Sequence, residues 1–192
     1  MPQQENHLIL IKHSLPEIVP SIPANQWHLS PMGRQRCEQL AAQLEVYSPE
    51  VFVTSNEPKA QETGEIVAKI LDTHCATAPN LHEHDRSNEG YFPTKEQFDN
   101  RVALFFANAQ TLVFGQETAD NAHARFSNAV STVIKQYPEH TIAVVAHGTV
   151  ITLFVARACG LQPFPLWKRL DLPSFVVLSL PAYHLGTILE SV

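Results

Sequence analysis

No stretch of this 192-residue chain approaches the roughly 18 to 20 uninterrupted apolar residues that a membrane-spanning helix needs, so no membrane partner is expected. Positive charge is scarce too: 13 Lys and Arg against 19 Asp and Glu leave a formal net charge of -6. That balance argues against a general nucleic-acid binder, which carries a basic stripe, while leaving room for a small cationic pocket. Cysteine is limited to Cys37, Cys75 and Cys159, odd in number and far apart. They form no metal or redox motif and suit a reducing compartment; Cys37 and Cys159 fall on apolar helix faces and read as core. The opening "MPQQENH" has neither a basic region nor an apolar signal core; with the cysteines, it leads us to expect a cytoplasmic protein. Repeats, low-complexity tracts and linkers are also missing, and residues 1–192 read as a single domain.

What the chain does have is apolar content, 44% against 17% charged, enough for a full core. It is arranged as strands alternating with helices. Leu8 to Lys12 is a first strand, followed by a loop with Pro16, Pro20 and Pro23. Ser30 is a natural N-cap and Pro31 suits the first helical position, with Cys37, Leu40, Ala41 and Leu44 on one face. "VFVT" (51–54) is a short buried strand, then a helix runs from Pro58 to Leu71, and "ATAP" (76–79) reads as a further strand. Thr94 and Gln97 form a capping box before a helix carrying Phe98, Val102 and Phe105. A helix from Ala119 to Tyr137, the strand "TIAVVA" (141–146), a helix from Thr149 to Cys159 closed by Gly160, the strand "FVVLSL" (175–180) and a last strand at "LGTILE" complete the chain. Continuous apolar strands between amphipathic helices predict a three-layer α/β/α sandwich around a mostly parallel sheet.

In such sheets ligands gather beyond the carboxyl ends of the strands. His13, Ser55 and His147 each lie at such an end, so the groups expected to converge there are Lys12, His13, Ser14, Ser55, Lys59, Glu83, His147 and Gly148. Two cations, two imidazoles, a carboxylate and a helix N-terminus after Gly148 suit a phosphate. An imidazole in the right tautomer attacks phosphorus to give a phosphohistidine. The second imidazole and the cations would neutralise the equatorial oxygens, and the carboxyl would protonate the leaving oxygen and then activate water. This chemistry calls for no metal and no cofactor.

Six segments in order resemble the histidine phosphatase superfamily, which includes the cofactor-dependent phosphoglycerate mutases: "LILIKHS", "WHLSPMGRQRCEQLA", "VFVTSNEPKAQETGEIVA", "LHEHDR", "FGQETADNAHARF" and "AVVAHGTVI". The resemblance implies a phosphoglycerate mutase-like fold, with His13 as the phosphorylated nucleophile, His147 as the second histidine and Glu83 as proton donor and acceptor. Lys12 and Lys59 would fill the two arginine positions of the phosphate pocket, Gly148 would add a backbone donor, and Ser14 would replace the glycine after the nucleophile with its hydroxyl free to face the ligand. A lysine is a mobile point charge where an arginine is a planar fork, so a weaker or narrower phosphatase is expected. The implied partner is a small phosphorylated molecule or a phosphoprotein; the sequence sets no oligomeric state.

Several assignments stay open on sequence alone. Asp85 and Glu89 compete with Glu83 for the acid, and Arg86 and Arg125 read equally as substrate contacts or as salt-bridge residues. Trp27, Phe92 and Trp167 read as pocket mouth or as packing. His82 and His84, two residues apart, lack the third ligand of a metal site. The alternative to a phosphatase is a degenerate relative that keeps the fold and binds an anion or a protein partner; a mutase is a third option.

Overall fold

The computed structural model describes residues 6–192. One six-stranded sheet organises the chain. In chain order its strands are β1 (His7–Lys12), β2 (Val51–Thr54), β3 (His74–Thr77), β4 (Ile142–Ala146), β5 (Ser174–Ser179) and β6 (His184–Leu189), and their spatial order is β3-β2-β4-β1-β5-β6. β3, β2, β4 and β1 run parallel, β5 is antiparallel to β1, and β6 is antiparallel to β5. The sheet is therefore mixed, with its parallel part where the histidines lie.

Both faces are covered. α1 (Pro31–Leu44) and α2 (Pro58–Ile70) pack on the face made by Ile9, Ile11, Phe52, Ala143 and Val145. α4 (Ala119–Gln136) and α5 (Gly148–Cys159) pack on the face made by Leu8, Leu10, Val51, Val53, Ile142 and Val144. The alternation of the two sets along each strand is the period-2 geometry of a sheet buried on both sides. α3 (Lys95–Ala107) builds a smaller aromatic cluster from Val102, Phe105 and Phe106 with Phe114 and Leu153. These layers are the expected α/β/α sandwich. Among the described residues, no helix is long and apolar enough to cross a membrane.

The helix ends follow the sequence signals. The Ser30 side chain accepts from Gly33 N–H, Thr94 from Gln97 N–H and Thr118 from Asn121 N–H, and Gly160 ends α5 in the left-handed region at φ 68°. Two elements differ from expectation. β3 begins at His74 rather than Ala76, because in-register pairing with β2 matches Val51 to His74 and Thr54 to Thr77. α6 (Pro163–Arg169) follows α5, although "PFP" looks like a break. Pro163 and Pro165 sit in the first turn, where backbone N–H groups have no intrahelical partner to lose.

The register of the parallel strands sets the site. Lys12 pairs with Ala146, so the next residues, His13 and His147, leave the sheet side by side. His13 N–H donates to the Ala146 carbonyl at 3.0 Å, and Ser55 N–H donates to the Val145 carbonyl at 2.9 Å. Three strand ends thus open onto one crevice.

Candidate active site

The crevice is a cavity of about 980 Å³ with Lys12, His13, Glu57, Lys59, Glu83 and His147 on its walls, at the upper end of the range for small-molecule sites. The His13 and His147 rings are 5.2 Å apart in an edge-on arrangement. His13 Nδ1 lies 2.7 Å from the Ser14 carbonyl oxygen. A carbonyl only accepts, so Nδ1 carries the proton and the Nε2 lone pair is free. Burial, reinforced by His147, Lys59 and Lys12, holds His13 well below the ordinary histidine range. The ring is neutral near pH 7, as a nucleophile must be.

His147 is fully buried and its Nε2 is 2.9 Å from Ser55 Oγ. Ser55 Oγ also receives Glu57 N–H at 3.3 Å. His147 Nε2 also faces Glu57 Oε1 at 3.4 Å, which leaves Nδ1 as the other ring nitrogen. That Nδ1 is enclosed and has no partner among the described residues. Burial, with Lys59 next, keeps His147 neutral as well, against the opposing pull of Glu83.

The two lysines are less free than the sequence implies. Lys12 Nζ donates to the Leu170 carbonyl at 2.6 Å. Burial brings its pKa down to about 8, with Glu83 and Asp171 opposing. Lys59 Nζ donates to the Ala24 carbonyl at 2.7 Å and to Glu57 Oε2 at 2.5 Å. Glu57 is the residue that sequence reasoning missed. It is buried, neutralises Lys59, receives Glu83 N–H on Oε1 at 2.9 Å and lies 3.4 Å from His147 Nε2. Its signal was its position: an acid at the N-cap of α2, just before Pro58 and two residues before Lys59.

Glu83 takes the place expected for an anionic ligand at the N-terminus of α5. Its carboxylate accepts from Thr149 N–H at 3.1 Å, Val150 N–H at 3.3 Å and His84 N–H at 2.9 Å, with Arg86 Nη2 at 3.9 Å. Burial pushes this carboxyl up, but Arg86, His147 and the backbone donors together hold it below the usual carboxylate range. Gly148, the first residue of α5, packs against Lys12: a Cβ there would stand 3.1 Å from Lys12 Cε.

The competing acids Asp85 and Glu89 also line the cavity, but their carboxylates are engaged in loop contacts. Asp85 accepts from Ser87 and Gln116, and Glu89 accepts Gly115 N–H, so both tie the 85–90 loop to 115–116. His82 and His84 both line the cavity, and the His84 ring packs between Phe105 and Phe114 at 4.2 and 4.8 Å; among the described residues no third ligand completes a metal site with them. Trp27, Phe92 and Trp167 all line the cavity. Ser14 does not. It is 0% exposed, its N–H donates to Thr63 Oγ1 at 3.0 Å and its hydroxyl to the Gly33 carbonyl at 2.7 Å. The expectation that this hydroxyl faces a ligand is corrected: it ties the end of β1 to α1, and the Ser14 backbone N–H ties it to α2.

Arg125 is a clamp. Its guanidinium donates to the carbonyls of Asn80, His82 and Glu83 at 3.0, 2.9 and 3.2 Å and pairs with Glu117 at 2.5 Å. It positions the backbone that carries Glu83. Arg125→Met, leaving three carbonyls and a carboxylate without their donor, is expected to cost roughly 2–4 kcal/mol in denaturant unfolding. It should also lower kcat, because Glu83 loses its backbone support; Arg125→Lys, which lacks the fork, should recover little of either.

The chain has recognisable relatives. Residues 23–186 match the histidine phosphatase superfamily (branch 1), and the chain belongs to that family. The match starts after Lys12-His13-Ser14. An uncharacterized phosphatase, PhoE, of Bacillus subtilis (strain 168) is 23% identical over 135 residues, 70% of this chain and 66% of that protein, so the match spans just under two thirds of the relative. A mycobacterial glucosyl-3-phosphoglycerate phosphatase superposes with a TM-score of 0.76 at 19% identity, covering 97% of this chain and 100% of the other. A phosphoserine phosphatase from Entamoeba histolytica superposes with a TM-score of 0.75 at 19% identity, covering 96% of each chain. At such identities the likeness concerns the fold.

Proposed function

We propose that the protein is a phosphomonoesterase that works through a phosphohistidine on His13. The observation that carries this reading is the Ser14 carbonyl on His13 Nδ1, which leaves Nε2 as a free nucleophile beside His147 on the cavity wall. His13 Nε2 attacks phosphorus, the P–O ester bond breaks, and the leaving oxygen takes a proton from Glu83. Water then gives a proton to the Glu83 carboxylate and attacks phosphorus, and the N–P electron pair returns to Nε2. The phosphoryl oxygens are met by Lys12 and Lys59, with the His147 imidazole beside His13; the reading routes no step through a metal. Glu83 is ionised at rest, and an incoming phosphate anion beside it drives its pKa back up by like-charge repulsion. The family's name and the phosphatase names of the structural neighbours support the same class of substrate, a phosphate monoester.

Lys12 predicts the alkaline limb. Its charged form, which the phosphate needs, exists below a pKa of about 8 and is lost as pH rises through that value. kcat/KM is therefore expected to fall above about pH 8, and Lys12→Arg, whose guanidinium does not titrate there, should move that limb upward. A pH–rate profile of both proteins checks it.

The Glu57–Lys59 pair favours one second reading, a weakly active or inactive protein that binds an anion, because it removes net charge from the pocket. Hydrolysis of an aryl phosphate, measured beside His13→Ala, separates the two. Phosphate release well above that control supports the esterase. No release, together with saturable binding of inorganic phosphate, supports the binding protein.

A further inference from the structure

Four cationic side chains line the cavity: Lys12, Lys59, Arg86 and Lys95. Each lysine has an acceptor. Lys12 donates to the Leu170 carbonyl, Lys59 to Glu57 and the Ala24 carbonyl, and Lys95 to Asp99 at 3.2 Å. Arg86 differs. Among the described residues its guanidinium makes no hydrogen bond; Nη1 is enclosed without a partner, and the nearest carboxylate oxygen, on Glu83, stands 3.9 Å from Nη2. The side chain is only 19% exposed. It is also held in place, with its guanidinium carbon 4.9 Å over the Phe98 ring. Phe98 is itself fixed by Phe92 and Trp167, at 5.4 and 5.7 Å.

An enclosed guanidinium with unused donors is costly in a folded protein unless something completes it. Nη1 itself is closed off, but Arg86 lines the cavity, so a ligand there is the available partner for the guanidinium's other donors. We propose that Arg86 is a specificity-determining residue that grips a carboxylate on the leaving-group side of the substrate, an assignment that rests on the phosphomonoesterase reading. Three features lead there. Arg86 neighbours Glu83, the group that protonates the leaving oxygen, so it stands beside the leaving group. Its planar fork matches two carboxylate oxygens at once. A second phosphate, as a dianion, would meet stronger repulsion from the Glu83 carboxylate than a singly charged carboxylate does. The substrate class is thus a phosphate monoester carrying a carboxylate near the ester oxygen.

O-phosphoserine and O-phosphoethanolamine differ by that carboxylate alone and are the probes. Their binding is measured by calorimetry on His13→Ala, which prevents turnover, and on the same protein with Arg86→Met or Arg86→Lys. Methionine retains an apolar stem over Phe98, and thermal melting verifies that each variant is folded. His13→Ala is expected to prefer phosphoserine by about tenfold or more, the size of one charge-assisted hydrogen-bonded pair. The preference should fall in the order Arg, Lys, Met and nearly vanish in Arg86→Met. Equal binding of the two probes, or a preference that survives in Arg86→Met, overturns the Arg86 assignment and leaves the phosphatase reading standing. Binding of neither probe overturns the phosphate pocket itself and the assignment with it.

Discussion

Replacing His13 with alanine is expected to lower kcat for any phosphate monoester by on the order of 10⁴-fold or more, since removal of an enzyme's nucleophile leaves only binding and electrostatics to act. The size follows from how completely the structure commits this ring. Its Nδ1 is held by the Ser14 carbonyl and its backbone N–H by Ala146, so Nε2 is aimed without further reorganisation. Neither His147 nor a lysine substitutes for it. His147 Nε2 is engaged with Ser55, and Lys59 with Glu57. The substitution leaves Lys12, Lys59 and His147 in place, so phosphate binding should persist while turnover is lost. Steady-state kinetics together with a phosphate binding isotherm checks both halves.

Glu83→Gln is expected to lower kcat by about 10²- to 10⁴-fold, the usual range for a lost general acid. The loss should depend on the leaving group. An aryl phosphate, whose phenolate leaves without full protonation, should lose less than an alkyl phosphate. Stability should fall as well, because one amide cannot accept from His84, Thr149 and Val150 as the carboxylate does. The pH dependence has a definite sign. The Glu83 carboxyl sits below its ordinary range in the folded protein, so its contribution is full above the unfolded pKa near 4.3 and is lost as pH falls through the folded value. In Glu83→Gln that part of the acid sensitivity should disappear from urea unfolding curves measured across the range.

The sheet was legible because β1, β2 and β4 are continuous apolar runs whose burial on both faces leaves one reading. β3 was misplaced by two residues because it is an edge strand with little burial to mark it, and its ends are set by pairing with β2. The strand-end histidines were legible for the same reason as the sheet. What their neighbours do was not. Lys12 and Lys59 carry the charge expected, but their partners, Leu170 and Glu57, depend on loop packing that periodicity does not record. Ser14 was read by the motif around it, whereas its orientation is decided by acceptors on α1 and α2. Arg125 and Arg86 looked alike in sequence. Three backbone carbonyls separate them, being satisfied by one arginine and absent from the other.

The most direct test is to trap the intermediate. Protein mixed with an excess of a hydrolysed phosphate monoester is quenched within milliseconds into alkali, which preserves phosphohistidine, and the phosphorylated peptide is mapped by mass spectrometry. A phosphoryl group on the His13 peptide, formed and lost at rates consistent with kcat and missing from His13→Ala, is the predicted result. Steady hydrolysis with no phosphorylated protein, or with the phosphoryl group on another residue, would contradict the account.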